Sequence, residues 1–275
     1  MALKGVRPDW ASFGGLALAF AGVVGGLLLE GGELKDISQL TAALIVLGGT
    51  GGAVLVSTPA FVLRGAVRRL AQVFFLRPDH PAALIETLLA LAAKARKSGL
   101  VSLEDDAIHH ADPFLSKALT LAVDGTDLHD LRKLLELDIA LEEQQAEAEA
   151  RAWEAAGGFA PTIGIIGAVM GLIQVMKNLA NIDAVGHGIA VAFVATVYGV
   201  GAANLLFLPA ANKIKARAQF ETRRKELIIE GVAGILEGLN PKLIAVKLSA
   251  FAAAPEPGKR RQAERPVPRP AEASR

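Results

Sequence analysis

Charge and hydropathy divide the chain into alternating blocks. Four stretches, 11–29, 37–63, 155–176 and 184–212, contain no Asp, Glu, Lys or Arg. Each reaches the roughly 20 residues needed to cross about 30 Å of hydrocarbon. None shows the period-two alternation of a barrel strand. Backbone groups in lipid must be satisfied within their own segment, so the pattern predicts four transmembrane helices. The polar blocks carry a different signal. Helical periodicity runs through 82–97, breaks at Ser98 and Gly99, and resumes over 128–153, where Leu131, Leu134, Leu135 and Leu141 fall largely on one face. The acidic run Glu142, Glu143, Glu147 and Glu149 continues that helix toward span three, and 213–239 continues span four. The expected fold class is therefore all-α and polytopic, with long helical extensions outside the membrane.

The flanks orient the spans. The connections 30–36 and 177–183 are short and hold one lysine each, Lys35 and Lys177. Arg64, Arg68, Arg69, Arg151, Lys213, Lys215, Arg217, Arg223, Arg224 and Lys225 cluster at the opposite ends. The positive-inside rule then places both termini and the middle segment in the cytoplasm. The resulting division is a transmembrane hairpin at 1–63, a cytoplasmic helical domain at 64–154, a second hairpin at 155–212, C-terminal cytoplasmic helices at 213–251, and a tail at 252–275. Pro255, Pro257, Pro266, Pro268 and Pro270 mark that tail as disordered and basic.

Composition agrees with a membrane chain: 52% of the 275 residues are hydrophobic and 5% aromatic, with a mean hydropathy of +0.39. Span one is followed by Glu30, Gly31 and Gly32 without a signal-peptidase pattern, so it is expected to be retained. A formal charge of +1 offers no global field for nucleic acid, and the absence of cysteine removes thiolate chemistry and thiolate metal sites. His109, His110 and Asp112 lack helical ligand spacing and read as a surface cluster, so no metal and no cofactor are expected. No phosphate-binding glycine loop and no nucleophile elbow is present. The chain is not expected to be an enzyme.

Chemistry inside the spans is sparse. No carboxylate lies deep in any of them, so a proton or sodium pathway needs an acid from a partner chain. Small residues abound, among them Gly48, Gly49, Gly51 and Gly52 in span two and Gly157, Gly158, Gly164, Gly167 and Gly171 in span three. They let helices approach closely, and their density favours an oligomer. Pro161 opens span three and Pro209 lies near the end of span four, each a tolerated kink or a hinge. The Thr196 hydroxyl either bonds back to its own helix or lines a polar path, with Tyr198 and Asn204 nearby. Outside the spans, Arg96, Lys97, Glu104, Asp105 and Asp106 bracket the Ser98–Gly99 break, as a solvated helix end or as a bipolar docking patch.

Several of these stretches resemble the MotA family of flagellar stator proteins, related to ExbB and TolQ. They are 45–59 (IVLGGTGGAVLVSTP), 95–104 (ARKSGLVSLE), 160–173 (APTIGIIGAVMGLI), 191–199 (VAFVATVYG), Asn204 with Pro209, and 230–241 (EGVAGILEGLNP). They occur in family order and cover nearly everything but the tail. The four-span, N-inside layout fits the MotA branch better than the three-span ExbB and TolQ branch. The resemblance implies an inner-membrane ring of five subunits around two MotB-like chains that carry the essential aspartate, turning the rotor protein FliG. It implies rotor contacts by Arg96 and Glu104 with Lys97 and Asp105 as auxiliaries, torque coupling by Pro161 and Pro209, and an ion path beside Thr196. Sodium-type members carry a threonine where this chain has Ala168, which implies protons. The competing expectations are an ExbB/TolQ-like channel subunit energising a non-flagellar process, and a structural membrane scaffold.

Overall fold

The computed structural model describes residues 7–73, 75–76 and 81–252. The tail expected to be disordered lies, from 253 onward, outside the described residues. The regular elements among the described residues are helices apart from one short antiparallel ribbon, in which β1 (Arg7–Pro8) pairs with β2 (Phe75–Leu76). The helices are α1 (Trp10–Leu29), α2 (Leu40–Ser57), α3 (Ala60–Val73), α4 (Pro81–Ser98), α5 (Glu104–His109), α6 (Pro113–Val123), α7 (Leu128–Lys177), α8 (Ile182–Leu236) and α9 (Pro241–Ala252). Four of them, α1, α2, α7 and α8, are long and apolar enough to cross a membrane. The chain is an all-helical polytopic membrane protein, and its residues divide into two compact units.

The first unit, 1–79 with 137–222, holds the spans. α1 starts where the Asp9 carboxylate accepts the amides of Ala11 and Ser12 at 3.2 and 3.4 Å. It ends before Gly31, whose φ of +81° suits a residue without a Cβ. The expected span 37–63 is corrected at both ends. Its helix begins at Leu40 and stops at Ser57, because Pro59 holds Thr58 extended at φ −130°, ψ 129°. Residues from Ala60 onward form the separate helix α3. Gly49 of α2 lies against Ile163, and Ala42 and Val46 form a buried cluster with Val194 and Ala195, flanked by Tyr198. The Tyr198 hydroxyl donates to the Ile37 carbonyl at 2.5 Å and accepts the Gln39 amide at 3.4 Å, closing the backbone just ahead of α2.

α7 and α8 meet along a seam of small residues. A Cβ at Gly164 would stand 2.9 Å from the Ala195 carbonyl oxygen, one at Gly171 2.7 Å from that of Gly188, and one at Gly199 2.5 Å from that of Ala160. The span-three glycines at the seam therefore serve contacts within the chain, while a Cβ added at Gly14, Gly15, Gly22, Gly25 or Gly26 of α1 would meet nothing within 4 Å. α7 runs as one helix through Pro161. Ala160 and Gly164, on either side of the proline, both pack on Gly199 and hold the helix together. In α8 a π-turn, Ala202–Phe207, ends two residues before Pro209 and includes Leu205, whose carbonyl the proline ring would meet in a regular α-helix.

The second unit, 80–136 with 223–275, packs α4, α5, α6 and α9 with the first turns of α7 and the last turns of α8. Leu88, Leu103, Leu115, Leu119, Leu131, Leu135, Ile228, Val232, Ile244 and Leu248 are fully buried. The periodic face predicted on α7 narrows here: Leu131 and Leu135 are core, whereas Leu134 is 45% exposed. Glu230 joins three helices, accepting both Arg132 nitrogens at 2.6 and 3.1 Å and pairing with Lys247 at 2.5 Å.

Candidate functional site

Ala168 and Thr196 sit on the α7–α8 seam. Gly167, the neighbour of Ala168, faces Ala195, the neighbour of Thr196, and Gly164 faces the Thr196 backbone. Both residues are half-buried. The Thr196 hydroxyl donates to the Ala192 carbonyl at 3.2 Å, the back-bonded arrangement, which leaves its oxygen lone pairs as acceptors. The prolines belong to one end of the same helix pair: Gly157, one turn before Pro161, faces Leu208, the residue before Pro209. Asn204 donates to the Val200 carbonyl at 2.9 Å and is exposed. Four of the sequence-predicted residues are thus gathered on two helices, in stretches that contain no Asp, Glu, Lys or Arg.

Charge collects where the spans end, and there the structure adds residues that patterning missed. Asp9 is 4% exposed and binds Lys213 at 2.6 Å, with Arg217 at 3.9 Å. Burial works to raise its carboxyl pKa. The hydrogen bonds from Lys213 and Ser12 and the Lys213 charge outweigh burial and hold it below the ordinary value. Burial lowers the Arg217 guanidinium, against the attraction of Asp9 and Glu221. A second buried acid, Glu149, is paired with Arg69 and accepts Gln145 at 2.9 Å. Along the sequence, Glu149 is simply one member of an acidic run. Four residues on, the Trp153 indole donates to the Ala66 carbonyl at 3.1 Å. The Asp9-x-x-Ser12 spacing before an apolar run is a capping signal, but nothing local in the sequence announces a partner two hundred residues away.

In the second unit, Arg96 and Lys97 occupy the last turn of α4, and Glu104 and Asp105 the first turn of α5. Each sign stands at the helix end whose dipole favours it. The break between them is Gly99 at φ +81°, followed by a 3-10 turn, Leu100–Leu103, that Ser102 pins by donating to the Gly99 carbonyl at 2.7 Å. Lys94 and Asp106 bridge this turn at 2.7 Å. The structure brings the four predicted residues to one corner, all exposed and with no charged group engaged by an ion pair among the described residues. The His109–His110–Asp112 group has a structural job. Asp112 caps α6 through the amides of Phe114 and Leu115 at 2.8 and 3.3 Å, and it pairs with Arg224. Among the described residues no group of three or more His, Cys, Asp or Glu is placed to hold a metal.

Residues 106–227 match the MotA/TolQ/ExbB proton channel family and residues 13–99 match the motility protein A N-terminal region. Motility protein A of Bacillus subtilis (strain 168) is 35% identical over 88% of this chain and 90% of its own length. The C. jejuni MotAB structure superposes with a TM-score of 0.85 at 31% identity, covering 90% of this chain and 98% of that one. The flagellar MotAB stator complex from Bacillus subtilis gives a TM-score of 0.82 at 35% identity, covering 87% and 94%. The chain thus belongs to the MotA/TolQ/ExbB proton channel family, as a multi-pass, non-enzymatic, MotA-like member.

Proposed function

We propose that the protein is a flagellar stator subunit that couples inward proton flow to rotation of the rotor. One observation carries this reading: a member of a proton channel family has four spans without a single carboxylate. The proton-binding acid must come from another chain. A MotB-like single-span partner with an essential aspartate supplies it, consistent with the MotAB assemblies to which this chain is similar. By the family resemblance five copies surround a dimer of that partner in the inner membrane. The termini and the segments 64–154 and 213–251 face the cytoplasm.

In this reading the α7–α8 seam is the ion-path wall. Ala168 offers no oxygen ligand for sodium, and the back-bonded Thr196 hydroxyl presents lone pairs to a protonated carboxyl. The seam glycines lock the two helices together, so a push on either moves the pair. α7 and α8 continue without interruption from the spans to Leu128 and Leu236, carrying that displacement outward, with Pro161 and Pro209 as the points that tune its coupling. Arg96 and Glu104, supported by Lys97 and Asp105, engage complementary charges on FliG and fix register more than affinity.

The test is co-expression with the aspartate-bearing partner in stator-deficient cells, with torque recorded under separate proton and sodium gradients. Rotation that follows the proton gradient is the expected result. Rotation that follows sodium overturns the ion assignment, and a stable complex that conducts without rotation overturns the motor assignment in favour of an ExbB/TolQ-like channel.

A further inference from the structure

We propose that the exposed face of α3 is a binding surface for anionic phospholipid headgroups. The helix is tied at both ends to span termini on one side of the membrane. Its N-terminus follows Ser57, the end of α2, by three residues. Beyond its C-terminus β2 pairs with β1, which directly precedes α1. Trp10, 79% exposed at the first position of α1, marks the same level as an interfacial aromatic. A third anchor agrees, since Arg69 pairs with Glu149 and Ala66 accepts the Trp153 indole, both on α7 just ahead of the 155–176 apolar run.

These anchors use one face of α3. Ala66 is buried and Val62, Arg69 and Leu70 are partly covered. The opposite face carries Phe61, 77% exposed, Val67, 60% exposed, and the exposed Arg64 and Arg68. Positions 61, 64 and 68 share one helical stripe, and 67 lies beside it. Neither arginine has an ion pair or hydrogen bond among the described residues, and α3 contains no acid. Two unpaired guanidiniums beside a phenylalanine and a valine, at the level of a span end, match a phosphodiester headgroup above its acyl chains. Guanidinium forks donate to phosphate oxygens bidentately, and the apolar pair enters the acyl boundary. A soluble acidic partner would have no use for the apolar pair, and a zwitterionic lipid sets its own ammonium against the phosphate that the arginines bind, so an anionic headgroup is preferred.

The experiment uses the full chain, delipidated and titrated with short-chain phosphatidylglycerol or phosphatidylcholine, with bound lipid counted by native mass spectrometry. The wild type is expected to prefer phosphatidylglycerol by about fivefold for each arginine, falling as salt rises. The double substitution Arg64→Gln with Arg68→Gln is expected to abolish the preference, the double Lys variant to keep it, and Lys35→Gln with Lys177→Gln at the far span ends to leave it unchanged. Circular dichroism of each variant checks that the helices persist. If the Gln variant does not fold, the wild-type salt dependence and the Lys variant carry the test. Equal binding of the two lipids by wild type, or an undiminished preference in a folded Gln variant, overturns the proposal. So does inorganic phosphate competing as effectively as the lipid. No outcome depends on rotation, so failure here is distinct from failure of the stator reading.

Discussion

α1 has no buried residue, which makes its N-terminal end dependent on Asp9. That side chain accepts Ala11 and Ser12 amides and the Ser12 hydroxyl, the last at 2.9 Å, and pairs with Lys213 at 2.6 Å. Asp9→Ala removes an N-cap, about 1 kcal/mol, and a charge-assisted hydrogen bond of about 1.5–3 kcal/mol. Lys213 is 35% exposed and regains water, so the lower end applies and the sum is about 2–3 kcal/mol. Hydrogen exchange at the first-turn amides is then expected to accelerate by roughly 30–150-fold. Asp9→Asn keeps the cap and loses only the charge term. The pH dependence follows from the depressed carboxyl. Its contribution is fully present above the unfolded-state carboxylate pKa and is lost as pH falls through the lower folded value, so wild type and Asp9→Asn converge at acid pH. Unchanged first-turn exchange in Asp9→Ala, or a constant gap between wild type and Asp9→Asn down to acid pH, would refute the anchoring argument.

Gly171→Ala places a methyl 2.7 Å from the Gly188 carbonyl oxygen and should lower stability in detergent by about 1–3 kcal/mol, whereas Gly25→Ala, with open space around it, should not lower it; comparable melting of the two would contradict the seam. Glu230, held at about 2 by Arg132 and, more weakly, Lys247, against the effect of burial, contributes stability present above its unfolded pKa and lost as pH falls toward 2. Glu230→Gln should therefore lower the neutral-pH melting temperature and flatten its acid dependence. Charge reversal at Arg96 or Glu104 should reduce swimming with melting unchanged, since both are exposed and have no ion pair among the described residues, and a reversed rotor surface should restore part of it.

Much of the fold is legible in local pattern because the membrane imposes a strong one-dimensional rule. A charge-free run of about 20 residues has few alternatives to a spanning helix. The same rule overlooks Thr58: Pro59 is as uncharged as its neighbours, yet it sets the backbone of the residue before it and turns the end of one expected span into α3. Pro161 does not end its helix as Pro59 ends the one before it, because Ala160 and Gly164 pack on Gly199 across the missing amide bond. The cluster around the Ser98–Gly99 break is readable since every part of it is local: basic residues close one helix, acidic residues open the next, and a glycine at positive φ stands between.

The sequence alone determined the number of spans, the all-helical class, the lack of an acid within the hydrocarbon and the family, all properties carried by composition, periodicity or contiguous motifs. Tertiary structure alone decided which charges are paired and which are free. Asp9 with Lys213, Arg69 with Glu149, and Arg132 with Glu230 join residues 80 to 204 positions apart. An acid in a solvated run and an acid sealed against a guanidinium look alike along a chain. Burial and pairing are properties of three-dimensional neighbours, and the energy of a charge is set by those neighbours and by the water they exclude. The same physics leaves Arg64 and Arg68 exposed, with no ion pair among the described residues, while Arg69, one residue further along the helix, is paired with Glu149.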